Sequence, residues 1–128
     1  MKRIAAITAA TAVAAGGVAL TIAPAQADSG IERHKTVRCA GNTLAKLELE
    51  KEHGRIDIDF ELDHAVPNQA WKVRIKHNGK RVLRTTRVTD YEGELDVSRK
   101  VPDRRGTDKI VARAKNSAGQ VCRVTLKI

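Results

Sequence analysis

The chain has 128 residues, a formal net charge of +9, 30% charged residues and 41% hydrophobic ones. That length suits one small domain rather than several. An aromatic content of 2% excludes a surface built from several stacked rings, the usual platform for sugars or single-stranded bases.

Residues 1–27 read as a secretion signal. Lys2 and Arg3 form a short positive start, an uncharged Ala/Thr-rich run follows from Ile4, and Ala25-Gln26-Ala27 after Pro24 is the small-x-small pattern of a cleavage site. The strongly apolar part of that run is short for a spanning helix, so cleavage is favoured over anchoring. No Cys directly follows the cleavage point to carry a lipid, and no apolar segment lies near the C-terminus. The mature chain is expected to start at Asp28, secreted, extracellular and not membrane-embedded. Loss of Lys2 and Arg3 leaves it clearly basic.

Two cysteines follow the leader, Cys39 and Cys122. An even count in an exported chain points to a structural disulfide rather than a metal site or reactive thiol. Residues 28–38 are polar and aperiodic and are expected to fray, leaving 39–128 as the domain.

Seven strands are predicted near 43–50, 55–62, 70–77, 80–88, 93–99, 108–115 and 120–128, with no helical stripe anywhere. Short alternating runs separated by turn signals mark an all-β antiparallel sandwich. Ile56 to Leu62 alternates apolar residues with carboxylates, and Trp71 to Lys76 alternates apolar residues with cations. Each has one buried face and one wet face. His77-Asn78-Gly79-Lys80 is a hairpin signal, because Asn-Gly tolerates the positive φ of a two-residue turn. Asn116-Ser117-Ala118-Gly119 marks a second hairpin. Asp63–Gln69 and Val101–Gly106 suit crossings between sheets.

Ala112-Arg113-Ala114-Lys115-Asn116-Ser117-Ala118-Gly119, with its A-x-A-x-N-x-x-G pattern, resembles the last hairpin of immunoglobulin-like and fibronectin type III-like sandwiches. Trp71 on the third strand resembles their buried Trp. The resemblance covers the strand order of nearly the whole mature chain, but only this hairpin in detail. Ala112 stands where an immunoglobulin Cys would be, Ile110 where the corner Tyr would be, and the second strand carries no Cys. It implies that the first and last strands run side by side, which would bring Cys39 to Cys122. It also implies that strands one, two and five form one sheet and strands three, four, six and seven the other.

On that assignment Glu48, Glu50, Asp57, Asp59, Glu61, Glu94 and Asp96 face outward from one sheet, relieved only by Lys46. Lys72, Arg74, Lys76, Arg113, Lys115, Arg123 and Lys127 face outward from the other, joined by some of Arg81, Arg84 and Arg87. The acidic trio Asp57, Asp59 and Glu61 should point away from Lys72, Arg74 and Lys76 across the core. Charged faces often serve solubility alone. Against that, like charges on neighbouring strands repel by a few tenths of a kcal/mol per pair.

The basic face is a candidate site for a polyanion: an anionic cell-wall polymer, a sulfated glycan or extracellular nucleic acid. Its contacts would be salt-sensitive and would not read sequence. Association of one molecule's acidic face with another's basic face is a third use of the charges. A protein partner, such as a secreted protease, would need a rigid loop, for which Asp63–Gln69 or Val101–Thr107 is available. No HExxH, GxSxG, CxxC or phosphate-loop pattern occurs. His34, His53, His64 and His77 fall in separate places, and Asp57 and Asp59 lie on a flat strand. No enzymatic activity, cofactor or metal is expected.

Overall fold

The structure is a computed structural model that describes residues 30–39 and 41–128. The leader predicted over residues 1–27 lies outside the described residues. Eight strands and no helix occur among the described residues: β1 (Ile31–Arg38), β2 (Leu44–Glu52), β3 (Arg55–Asp63), β4 (Ala70–His77), β5 (Lys80–Val88), β6 (Leu95–Pro102), β7 (Lys109–Asn116) and β8 (Val121–Lys127). They form two four-stranded antiparallel sheets, ordered β1-β2-β3-β6 and β5-β4-β7-β8.

Alternation in each central strand decides which face is covered. Leu47 and Leu49 of β2 pair with Phe60 and Ile58 of β3, and all four are buried. Trp71, Val73 and Ile75 of β4 meet them from the other sheet in one core cluster. Val73 and Ile75 sit opposite Ala114 and Ala112 of β7, so small residues flank the strand that carries the largest side chain. Both hairpins form where Asn-containing turns predict them. Asn78 (φ 50°) and Gly79 (φ 85°) both adopt the left-handed region, as a two-residue hairpin on a right-twisted ribbon requires. In the other, Asn116 Oδ1 accepts the backbone N–H groups of Ala118 (3.0 Å) and Gln120 (2.9 Å).

The strand count is eight, not seven. Ile31–Arg38, within the segment expected to fray, pairs with β2 in a register running from Ile31 opposite Lys51 to Arg38 opposite Leu44. Its side chains are exposed apart from half-buried Val37. It is held by the ladder rather than by apolar burial, so no periodicity announces it. Arg33 and Lys35 lie in register with core residues Leu49 and Leu47, yet remain exposed at the sheet edge.

The disulfide Cys39–Cys122 joins the end of β1 to β8 across the two sheets, with Cα atoms 5.2 Å apart. β1 and β2 both pack beside β8, the adjacency that the strand order implied. The bridge spans 83 residues, and a loop of that length is worth about 4.5 kcal/mol in the chain-entropy account. Replacing both cysteines (Cys39→Ala with Cys122→Ala) is expected to lower unfolding stability by about 4 kcal/mol. Urea unfolding with and without reductant should show the same loss for the reduced wild type and no further loss for the double variant.

Candidate functional site

The charges divide as the alternation requires. On the outer face of the first sheet the register aligns Glu32–Glu50–Asp57–Lys100 in one cross-strand row. His34–Glu48–Asp59–Ser98 forms the next row and Thr36–Lys46–Glu61–Asp96 the third. The first two rows, with Arg33 and Arg99 between them at the edges, line a shallow depression of about 320 Å³. Lys46 pairs with Glu48 at 3.4 Å. Lys100, opposite Asp57, is a counter-charge beyond the expected Lys46. β1 adds Glu32 and His34, which a frayed segment would not have supplied.

Crowded carboxylates hold their protons more tightly. Partial burial and then the Asp96 carboxyl, through a hydrogen bond and its charge, push Asp59 up to about 6. The Ser98 hydroxyl, 3.2 Å from Asp59 Oδ1, and Lys46 act in the opposite direction. Glu50 is raised by desolvation, then by Glu52, Glu32 and Asp57. Glu94 is raised first by the charge of Asp63.

On the second sheet Lys72, Arg74, Lys76, Arg113, Lys115, Arg123 and Lys127 all lie on the outward face. Arg84 (β5), Arg74 (β4), Arg113 (β7) and Arg123 (β8) stand directly opposite one another and form a single row across all four strands. Lys72 and Lys115 flank the row on one side, and Arg81 and Lys76 on the other. Neighbouring strands lie about 4.8 Å apart, so the row is about 14 Å long. Lys127 lies opposite Lys109 at the far end. A hollow of about 320 Å³ is lined by Arg74, Arg113, Arg123, Lys76, Lys109, Val111 and Gly79, with no carboxylate. Among the described residues, the only salt bridges of Lys or Arg are Lys46–Glu48 and Lys51–Asp103, so no cation of this face is paired.

Arg81, Arg84 and Lys109 were not fixed by the sequence. A register shift between Ile75 and Lys76 breaks the alternation of β5, where Val82 and Leu83 are adjacent. Arg84 therefore faces outward beside Arg74, while Arg87 lies opposite Trp71.

His77 corrects the expectation of a turn histidine. It ends β4 and is buried, with its Nε2 donating to Asp108 Oδ1 at 2.6 Å. Asp108 also accepts the backbone N–H of Arg104 at 3.2 Å. Burial opposes ionisation of Asp108. The bonds from His77 and the Arg104 N–H, His77 foremost, outweigh it and hold the carboxyl below its ordinary range. The pair pins the β6–β7 crossing to the sandwich. His34 lies on exposed β1, while His53 and His64 are exposed turn residues with positive φ.

The Asp63–Gln69 crossing is fastened to the β5–β6 loop. Ala65 N–H donates to Gly93 O (3.0 Å) and Asn68 N–H to Thr89 O (3.1 Å). The Thr89 hydroxyl accepts from Gln69 N–H (2.8 Å) and donates to Val66 O (2.6 Å). Gly93 has φ 77°, and a Cβ there would collide with the Ala65 carbonyl. Val66 is 59% and Tyr91 80% exposed on these two loops.

No protein-family model and no curated protein matches the chain. The described residues define an all-β domain of two antiparallel sheets with one acidic and one basic outer face.

Asp59 carries a pH signature. A folded-state pKa above the ordinary carboxylate value means that the native state binds the proton more tightly. Its stabilising contribution is therefore complete below about pH 4 and lost as pH rises through about 6. Asp59→Asn is expected to raise Tm at pH 7.5 by a few degrees and to leave it unchanged near pH 4. Calorimetry across that range checks the sign; a variant less stable than wild type at pH 7.5 contradicts it.

Proposed function

We propose that this protein is a secreted, non-enzymatic binding module of immunoglobulin-like or fibronectin-like type that holds a polyanion on its basic sheet. The observation that carries the reading is the four-arginine row with its unpaired lysine flanks. Like charges side by side weaken a sheet, and a mixed face would avoid that cost. A row of guanidinium groups offers planar, forked donors to phosphate or sulfate oxygens. The hollow around Val111 gives such an anion a seat. The scarcity of aromatics argues for charge rather than ring stacking as the means of attachment. The leader-like start and the disulfide favour an extracellular setting, where wall polymer, sulfated glycan and free nucleic acid are available. The order β2-β3-β6 against β5-β4-β7-β8 supports the kinship to immunoglobulin-like sandwiches, with β1 as an addition.

Wild type is expected to be retained on heparin or phosphorylated wall polymer and released as salt rises. Lys72→Glu with Arg74→Glu and Lys76→Glu should abolish retention and leave the circular dichroism spectrum unchanged. A triple variant that elutes with wild type sinks the proposal.

A second reading has its own observation. The Asp63–Gln69 loop is locked by backbone and Thr89 hydrogen bonds and displays Val66, as a protein partner such as a secreted protease would require. The Val101–Thr107 loop is tied down through Asp103 and Asp108 but displays no apolar residue at its tip. Stoichiometric, salt-tolerant inhibition in a titration against extracellular proteases would favour this reading over polymer binding.

A further inference from the structure

We infer that the acidic face of one molecule docks on the basic face of another, so that the domain stacks head to tail into open chains. The occupant of each face is a second copy of this chain. The inference needs both faces and does not depend on whether the basic face also takes a polymer.

The two faces present matched lattices of opposite charge. Same-face residues in any antiparallel sheet repeat about every 4.8 Å across strands and about every 6.8 Å along them. The two outer faces therefore share one spacing, and their charges are complementary. Each centres on a block of four residues spanning its two middle strands. On the basic side the block is Arg74–Arg113 with Lys72–Lys115. On the acidic side it is Glu48–Asp59 with Glu50–Asp57.

One arrangement shows how the blocks can meet. β1 and β2 lie on the β8 side of the sandwich, and β6 lies on the β5 side. If the next copy is turned by half a rotation about the stacking axis, its β2 lies over β4 and its β3 over β7. Glu48 then faces Arg74, Asp59 faces Arg113, Glu50 faces Lys72 and Asp57 faces Lys115. Without the half-turn, a slide of two residues along the strands brings the same blocks together, with Glu50 over Arg113 and Asp57 over Arg74; either arrangement pairs four acids with four cations.

Closure is excluded by the same geometry. The two faces look in opposite directions across the core, so a pair that satisfies one contact leaves an acidic face free at one end and a basic face at the other. Such a heterologous contact propagates unless a rotation closes it, and successive half-turns about one axis do not. Charge contacts of this kind are screened by salt.

Sedimentation of the purified, disulfide-intact protein tests the proposal. At ~100 μM, the weight-average mass is expected to rise at least roughly twofold above monomer in ~25 mM salt and to return to monomer in ~300 mM, where the Debye length is below about 8 Å. Two variants separate the faces: Arg74→Gln with Arg113→Gln, and Glu48→Gln with Asp59→Asn. Each alone should remain monomeric at low salt. Mixed in equal amounts they should form a 1:1 dimer and nothing longer, because each retains one intact face. Circular dichroism of both variants checks that the sandwich is retained, as expected for side chains on the outward faces of the sheets. A wild type that stays monomeric at low salt overturns the inference. So does association of either variant alone, or a mixture that fails to pair. A wild type that stacks at low salt but is not retained on heparin would refute the polymer reading and leave this one standing.

Discussion

The structure depends on each sheet burying one face against the other. Trp71, Phe60, Leu47, Leu49, Ile56, Ile58, Leu62 and Ile75 are almost wholly removed from water, and truncating one such side chain costs about 2–5 kcal/mol. Because the side-chain period is two, a one-residue slip in β3 would place Asp57, Asp59 and Glu61 in the core. That slip is prohibitive, since an unpaired buried carboxylate costs far more than a lost methylene. The core thus dictates where the charges go. The segregation of acid from base is held against the mutual repulsion of neighbours and not by any attraction among them. Asp59 and Glu50, raised first by desolvation and then by their carboxyl neighbours, register part of that repulsion.

Polar plugs close the two ends of the apolar layer. At one end Thr89 and Asn116 are buried, each bonded to backbone across a loop or turn. At the other, His77 and Asp108 are buried together. A buried polar group is costly unless it is paired, so these contacts specify loop geometry more than they add stability. They fix how the chain crosses from β6 to β7 and from β3 to β4, and hence the relative placement of the two faces.

Much of this was legible in the sequence because β3, β4 and β7 alternate cleanly. Their inward and outward sets, including Lys72, Arg74, Lys76, Arg113 and Lys115, follow from parity alone. The two Asn-containing turns were legible for a local reason, namely backbone torsions that few residues accept. What escaped lacked such a signal. β1 buries nothing and is specified only by backbone pairing with β2, so its composition resembles a tail. β5 loses its alternation at the register shift, which hid Arg84 from the arginine row. The bond between His77 and Asp108 joins residues 31 positions apart, and neither residue's neighbours in sequence forecast it.

The outermost strands carry one more implication. Arg33 and Lys35 on β1, Arg99 on β6 and Arg87 on β5 all occupy register positions in line with core residues: Leu49, Leu47, Ile58 and Trp71. All four are exposed. Charges set at inward-pointing sites of a boundary strand deter a neighbouring sheet from continuing the ladder, since pairing would trap them against apolar side chains. Three of the four boundaries are guarded in this way. Lateral growth of the sheets, the route to amyloid-like aggregation, is opposed at those three edges in a domain that is almost entirely strand and loop.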